Sequence, residues 1–319
     1  MTTAELLETV RRVEVRTNRL VNDTMVGAYL SQFRGRGMDF EELREYMPGD
    51  DVRDIDWNVT NRMGRPFVKR FREERELGMV LAIDISASSS FGSARRTKRE
   101  FATEIAATLA FSAARASDKV ALLLFTEQAE LYLPPRKGRR HILRLIREML
   151  SFQPKHRATN IPAALSFLNR VLARRSMVFL LTDFLHSFAN NPSPGLSATL
   201  SPSDGERDGV RGRDAIQEIG LTNARHDLIC IHLHDPRESS LPRAGLLTIE
   251  DAETGELLEL DTNRAAVRDE FARTNLIRLA ELEGALRRAG VDVLRLNAEQ
   301  SSAQALQNFF ELRRGRRRG

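Results

Sequence analysis

The sequence predicts an α/β protein with an open, mainly parallel, doubly wound sheet, preceded by a segment of different character. Three observations predict it. Short, wholly apolar runs such as Met79-Val80-Leu81-Ala82-Ile83, Val120-Ala121-Leu122-Leu123-Leu124-Phe125 and Val178-Phe179-Leu180-Leu181 have the length of strands buried on both faces. Amphipathic helical stretches separate them, the alternation that builds parallel sheets. Two of the runs end in acidic residues, Asp84 and Asp183, placing carboxylates at the strand ends where open α/β sheets bind ligands.

The elements follow in order. Residues 1–78 are polar and rich in both charge signs. They predict a helix over about 5–21, a helical piece around Asp39-Phe40-Glu41-Glu42-Leu43-Arg44, a turn at Met47-Pro48-Gly49-Asp50 and an edge strand at Phe67-Val68-Lys69-Arg70-Phe71. The sheet domain spans 79–312. Its first strand, 79–84, leads to a helix over about 94–116, where Phe101, Ile105 and Leu109 form the apolar stripe and Ala102, Ala106 and Ala110 allow close approach to the sheet. After Asp118-Lys119 comes strand 120–125, and Glu130-Leu131-Tyr132-Leu133 returns beside it as a hairpin, because the connection is too short for a crossover. Helices near 139–150 and 161–174 precede the strand ending at Asp183. The stretch 187–212 is dense in Pro, Gly and Ser and reads as a mobile insertion. Beyond it come a short helix near 213–222, a strand at 227–233, a hairpin (246–250 and 257–260) around Thr254-Gly255, a helix over about 263–289 stopped by Gly290, a strand at 291–296, and a last helix holding Leu306, Phe309 and Phe310. Residues 313–319 read as an Arg-rich tail, disordered and dispensable for folding.

Composition narrows the classes. With 319 residues, 41% hydrophobic and 29% charged, the chain has the make-up of a soluble globular protein. No apolar run approaches the ~20 residues of a membrane helix, and the first residues lack a signal peptide's basic-then-apolar pattern. The single cysteine, Cys230, sits in a strand-like run as an inert buried thiol and fits a reducing cytoplasm. A net charge of +5 is mild for this length and much of it lies in the terminal arginines, which leaves nucleic-acid binding through that tail as a weaker third reading.

The chemistry lies at Asp84-Ile85-Ser86-Ala87-Ser88, Thr159 and Asp183. Each has an ordinary local role: the serines and Thr159 can cap the helices that follow, and Asp183 can cap its own loop. Taken together, three separate βα loops deliver hard oxygen donors to one sheet edge, a set suited to Mg²⁺ or Mn²⁺. Two buried carboxylates there repel unless a cation or proton neutralises one. Rival chemistries lack parts. A haloacid-dehalogenase-like phosphatase needs a second Asp where Ser86 stands, and Asp54-Ile55-Asp56 has that spacing without a preceding apolar strand. No G-x-S-x-G elbow surrounds the serines, Gly35-Arg36-Gly37 opens no phosphate loop, and the six histidines do not cluster, His232 and His234 reading as a strand-end pair.

The order D-x-S-x-S, then T, then D resembles the metal-ion-dependent adhesion site (MIDAS) of von Willebrand factor A domains. The run Gly37, Phe40, Leu43-Arg44-Glu45-Tyr46, Pro48-Gly49-Asp50-Asp51, Arg53, Ile55-Asp56-Trp57, Arg62 and Val68-Lys69 resembles the bacterial "domain of unknown function 58" proteins, as do His232, His234-Asp235-Pro236-Arg237-Glu238 and Phe309-Phe310. That resemblance covers about residues 25–312. It implies a von Willebrand A-like domain in which Asp84, Ser86, Ser88, Thr159 and Asp183 hold the ion, and whose open coordination position accepts a partner's carboxylate. It further implies a non-catalytic interaction module: an adaptor or co-chaperone of a MoxR-type AAA+ ATPase, or of its client. A metal-dependent hydrolase or phosphatase using the same site is the alternative. The signature residues Tyr46, Gly49, Asp50, Arg53, Asp56 and Trp57, dense in opposite charges, read as a structural staple, with a second partner-binding surface as the alternative.

Overall fold

The computed structural model describes residues 3–21, 27, 29, 38–73, 78–93, 96–185 and 215–316. The insertion expected at 187–212 lies outside the described residues. The chain opens with the helix Thr3–Leu20. Next come β1 (Met38–Glu45) and β2 (Phe67–Glu73), an antiparallel pair with a register shift between Phe40 and Glu42. The helical piece expected at Asp39–Arg44 is therefore wrong: those residues form β1. Helix-friendly Glu, Leu and Arg are held extended by the ladder to β2, a partner remote in sequence, and this tertiary pairing overrides local propensity.

Six strands form the central sheet, in the order β10-β7-β6-β3-β4-β5. They are β3 (Gly78–Asp84), β4 (Lys119–Phe125), β5 (Ala129–Arg136), β6 (Ser176–Thr182), β7 (Asp227–His234) and β10 (Asp292–Asn297), with β5 antiparallel to β4 and every other pair parallel. A separate hairpin, β8 (Leu246–Glu250) with β9 (Leu257–Asp261), projects between β7 and the long helix Ala265–Arg288. The open, mainly parallel sheet is the architecture expected from the sequence.

Both faces of the sheet are covered, which explains the unbroken apolar runs. Met79, Leu81 and Ile83 point into one core with Phe101, Ile105, Leu109, Leu145, Phe310 and, from the N-terminal helix, Val10. Val80 and Ala82 point into the other, with Leu165, Leu168, Ile219 and Leu286. The period-2 alternation of a strand thus feeds two apolar layers. The helix Lys98–Arg115 lies deepest: Ala102, Ala106 and Ala110 are fully buried, and Thr108 and Ser112 return their hydroxyls to the carbonyls one turn back. Its start is later than the sequence expectation, because Thr97 and Glu100 close a reciprocal capping box there.

The Arg-rich tail is also corrected. The last helix runs Ser302–Arg316 and includes Arg313 and Arg314. Arg313 is 5% exposed, its guanidinium bonded to Asp227 at the start of β7 and, at 2.6 Å, to Asp292 at the start of β10. The Arg313 charge thus joins two parallel strands, while Arg314 and Arg316 stay exposed and 317–319 lie outside the described residues.

Candidate functional site

Strand order reverses at β3: the chain passes first to β4 on one side, then to β6 on the other. The crevice at their carboxyl ends is the topological switch point, and the predicted residues meet there. Asp84 ends β3 and is 4% exposed. Its Oδ1 accepts the Ser86 amide at 2.9 Å, the turn that folds the first loop back on itself. Ser86 Oγ lies 3.1 Å from Ser88 Oγ, and Ser88 helps hold the Asp183 carboxyl below its usual range. The first loop is tied to the second by the Ala87 amide, which donates to the Arg157 carbonyl at 2.9 Å.

Thr159 does not cap the following helix. Asn160 caps Ile161–Val171 by accepting the Ala163 amide, which leaves the Thr159 hydroxyl directed at Asp84, 3.2 Å from Oδ2 and 3.4 Å from Oδ1. Asp183 follows β6 and accepts the Leu185 amide at 3.1 Å. That return requires Phe184, a buried aromatic, to adopt φ 54°, a left-handed conformation costly for a bulky residue and typical of sites where geometry is imposed. Thr159, Asp84, Ser86 and Ser88 are thus joined in one hydrogen-bonded chain, with Asp183 beside it on the same cavity as Asp84.

Four further residues escape sequence reasoning. Thr182 donates to Asp84 Oδ2 at 2.7 Å. Lys98, 2% exposed, is held between Asp183 and Glu238, both at 2.5 Å. Glu238 is aimed by the capping box of the turn Pro236–Ser239, where it accepts the Asp235 amide at 2.9 Å. Glu253, at the β8–β9 tip, accepts from the Thr159 amide and hydroxyl. The signals were faint. Lys98 sits in the basic run Arg95-Arg96-Thr97-Lys98-Arg99, where burial of one member is invisible, and Glu238 belongs to a segment noted only for its family likeness.

The two aspartates differ in charge environment. Burial and the neighbouring Asp183 push the Asp84 carboxyl up to about 6, only partly offset by the Ser86 and Thr182 hydrogen bonds. Burial alone would raise Asp183 too, but Lys98, Ser88 and the Leu185 amide outweigh it and hold this carboxyl below its usual range. Lys98 is stabilised as an ammonium by Asp183 and Glu238 despite its burial. Among the described residues, the hydrogen bonds to Asp84 all come from neutral groups. Next to the site His232 packs edge-on against Phe184, and burial followed by the nearby His234 drives it down to about 3, so it is a neutral ring rather than a proton carrier. Burial likewise pushes the Cys230 thiol up, as expected of an inert core cysteine.

The donor set fits a hard divalent ion better than a soft one. Among the described residues no three His, Cys, Asp or Glu side chains converge. The set is instead two carboxylates and hydroxyls, and among the described residues Asp84 has no cationic partner. Beneath it is a cavity of about 10 Å³ lined by Asp84, Ser89, Lys98, Thr182 and Asp183, room for about one water. Ser86, Ser88 and Thr159 with Asp84 would hold Mg²⁺, which takes oxygen ligands and retains waters readily.

The signature residues sit elsewhere, around the β1–β2 ribbon. Asp50 accepts from Arg44 at 2.6 Å and from the Met47 amide, with Gly49 supplying φ 111° for the turn. The Tyr46 amide bonds the Pro66 carbonyl, and Asp51 caps a short turn by accepting the Arg53 amide. Asp56 caps the helix Trp57–Met63 and pairs with Lys69 at 3.0 Å. Trp57 itself is 62% exposed.

Among solved structures, the fold is similar to the conserved hypothetical protein BatB from Bacteroides thetaiotaomicron, at 14% identity and TM-score 0.45 over 75% of this chain and 99% of that one. It is also similar to a von Willebrand factor type A protein from Catenulispora acidiphila, at 17% identity and TM-score 0.36 over 74% of this chain and 42% of that one. An uncharacterized protein of Mycobacterium tuberculosis is 29% identical over 312 residues, 97% of this chain and 90% of its own. Residues 42–279 match the family model described as "Protein of unknown function DUF58", and the chain belongs to that family.

Proposed function

We propose that the protein is a non-catalytic interaction module whose site edge binds one Mg²⁺ or Mn²⁺ and, through it, an acidic residue of a partner. The observation that carries this reading is the convergence of Asp84, Ser86, Ser88, Thr159 and Asp183, from three separate loops, on one crevice. Asp84 supplies the uncompensated charge, the hydroxyls supply neutral oxygens, and Lys98 holds Asp183 ionised and in place. The ion would supply an exchangeable position at which an incoming carboxylate replaces water. The partner class, a MoxR-type AAA+ ATPase or its client, rests on the family resemblance alone. Among the described residues no helix is long and apolar enough to cross a membrane.

Titration calorimetry with Mg²⁺ on the wild type and Asp84→Ala tests the metal, and equal binding by both refutes it. Pull-down with the ATPase tests the partner: capture should vanish in EDTA, return with Mg²⁺, and weaken in Thr159→Ala without loss of fold. Turnover of phosphoesters or peptides abolished by Asp183→Ala would replace this reading with the hydrolase one.

A further inference from the structure

The two faces of the β8–β9 hairpin differ in chemistry. Leu247 and Ile249 stand opposite Leu260 and Leu258 across the ladder, and all four are half-buried. Leu246, Thr248, Glu250, Leu257 and Glu259 alternate with them and are exposed, Leu246 by 67% and Leu257 by 68%. Residues 246–261 include six Asp or Glu and no Lys or Arg. The outer face of the ribbon is therefore apolar and anionic at once.

The opposite edge of the sheet carries the matching chemistry. Helix Ile161–Val171 and the helical residues 215–225 lie side by side, Asn169 donating to Thr222 at 2.8 Å and to Glu218 at 3.0 Å. They lead into β6 and β7, whose amino ends are joined where the Ser176 amide donates to His226 Nδ1 at 3.3 Å. That bond brings the preceding residues, Arg175 and Arg225, together: after burial, these two guanidiniums are what hold the His226 ring below its usual range. Arg170, Arg175 and Arg225 are exposed, and so are Val171 and Leu221 at the same helix ends. Bases at helix C-termini answer the helix dipole. Exposed apolar side chains beside them do not.

The two surfaces cannot meet within one molecule. Arg157 ties the hairpin tip to the Thr159 loop, at the carboxyl ends of the strands, by donating to the Ala252 carbonyl at 2.9 Å. Residues 170–175 and 221–225 lie at the amino ends, and the length of β6, Ser176–Thr182, separates the two edges by about 20 Å. We propose that the outer face of the β8–β9 hairpin docks on the 170–175 and 221–225 surface of a second copy of this chain. Glu256 and Glu259 meet Arg175 and Arg225, while Leu246 and Leu257 cover Val171 and Leu221. Opposite charge steers the encounter and fixes its register, and the apolar contact holds it. Such a contact is head to tail, so it continues from copy to copy into a ring or a filament. It does not depend on whether the site edge holds a metal ion.

The test uses the full chain in EDTA, with mass followed by sedimentation velocity. Wild type should exceed monomer mass as its concentration rises at about 0.1 M salt and fall back at about 1 M, as the screening length drops from about 10 to about 3 Å. Glu256→Arg with Glu259→Arg, and Arg175→Glu with Arg225→Glu, each matched to wild type in melting temperature, should stay monomeric alone, because each then carries like charge on both surfaces. Mixed in equal amounts, the two double variants should assemble again, since every surface finds its opposite on the other variant. Assembly that persists in either variant alone, or a mixture that stays monomeric, overturns the proposal. So does a wild type that stays monomeric up to about 0.1 mM, where a micromolar dissociation constant would be saturated. If that monomer binds a DNA duplex and Arg175→Glu with Arg225→Glu abolishes the binding, the surface serves nucleic acid instead.

Discussion

Replacing Lys98 by methionine tests the electrostatic design of the site. The substitution keeps an unbranched side chain of similar length and removes only the ammonium. In the wild type that ammonium is 2% exposed and lies 2.5 Å from both Asp183 and Glu238. Removing one partner of a buried ion pair leaves uncompensated charge and costs about 3–5 kcal/mol. At roughly 2–4 °C per kcal/mol for a domain of this general size, the melting temperature should fall by about 6–20 °C. The penalty should shrink as pH falls, because burial already pushes the Glu238 carboxyl up and protonation removes the charge left unpaired. Lys98→Met combined with Glu238→Gln should recover at least about 1 kcal/mol, the coupling expected of groups in direct contact. In the proposed metal-bound state Lys98 would compete with the ion for Asp183, so Mg²⁺ should protect Lys98→Met more than it protects the wild type. Urea denaturation of the single and double variants at pH 7.5 and at lower pH, with and without Mg²⁺, measures these effects. A Lys98→Met protein within about 0.5 kcal/mol of wild type, the range of an ordinary surface change, would refute the buried-pair argument.

Other outcomes follow from the same geometry. Asp84 is raised to about 6 in the folded protein against about 3.9 unfolded. Its contribution is therefore full below pH 4 and lost as pH rises through 6, a difference of about 3 kcal/mol. In EDTA, Asp84→Asn should lack that loss and exceed wild type in stability at pH 7.5, and a wild-type-minus-variant difference that stays flat from pH 4 to 6 would contradict it. Arg313→Ala should cost about 3 kcal/mol in a thermal melt, because it strands Asp227 and Asp292 at the start of two parallel strands. A melt unchanged by Arg313→Ala would restore the view of this segment as a solvated tail.

Much of the fold was legible because its signals are local. The runs 79–83, 120–125 and 178–181 are too short and too apolar to be anything but strands in a two-faced sheet, and their order with the intervening helices left few topologies. The five donors were legible because each marks the end of such a run or the start of a helix. β1 was missed because its partner β2 is remote in sequence, and charged, helix-friendly residues give no hint of pairing. Arg313 was missed because charge in a Gly-interrupted run looks solvated until the strands that hold its acceptors are assembled.

The sequence by itself determined which residues could meet at the sheet edge, since strand termini and oxygen-bearing side chains are properties of short segments. Only the tertiary structure decided the charge around them: that Lys98 neutralises Asp183 rather than Asp84, that Thr182 backs Asp84, and that Glu253 comes to Thr159 from a hairpin 94 positions on. The physical reason is that a carboxylate's ionisation and binding depend on burial and on charges within a few ångströms, and those neighbours come from segments far apart in the chain.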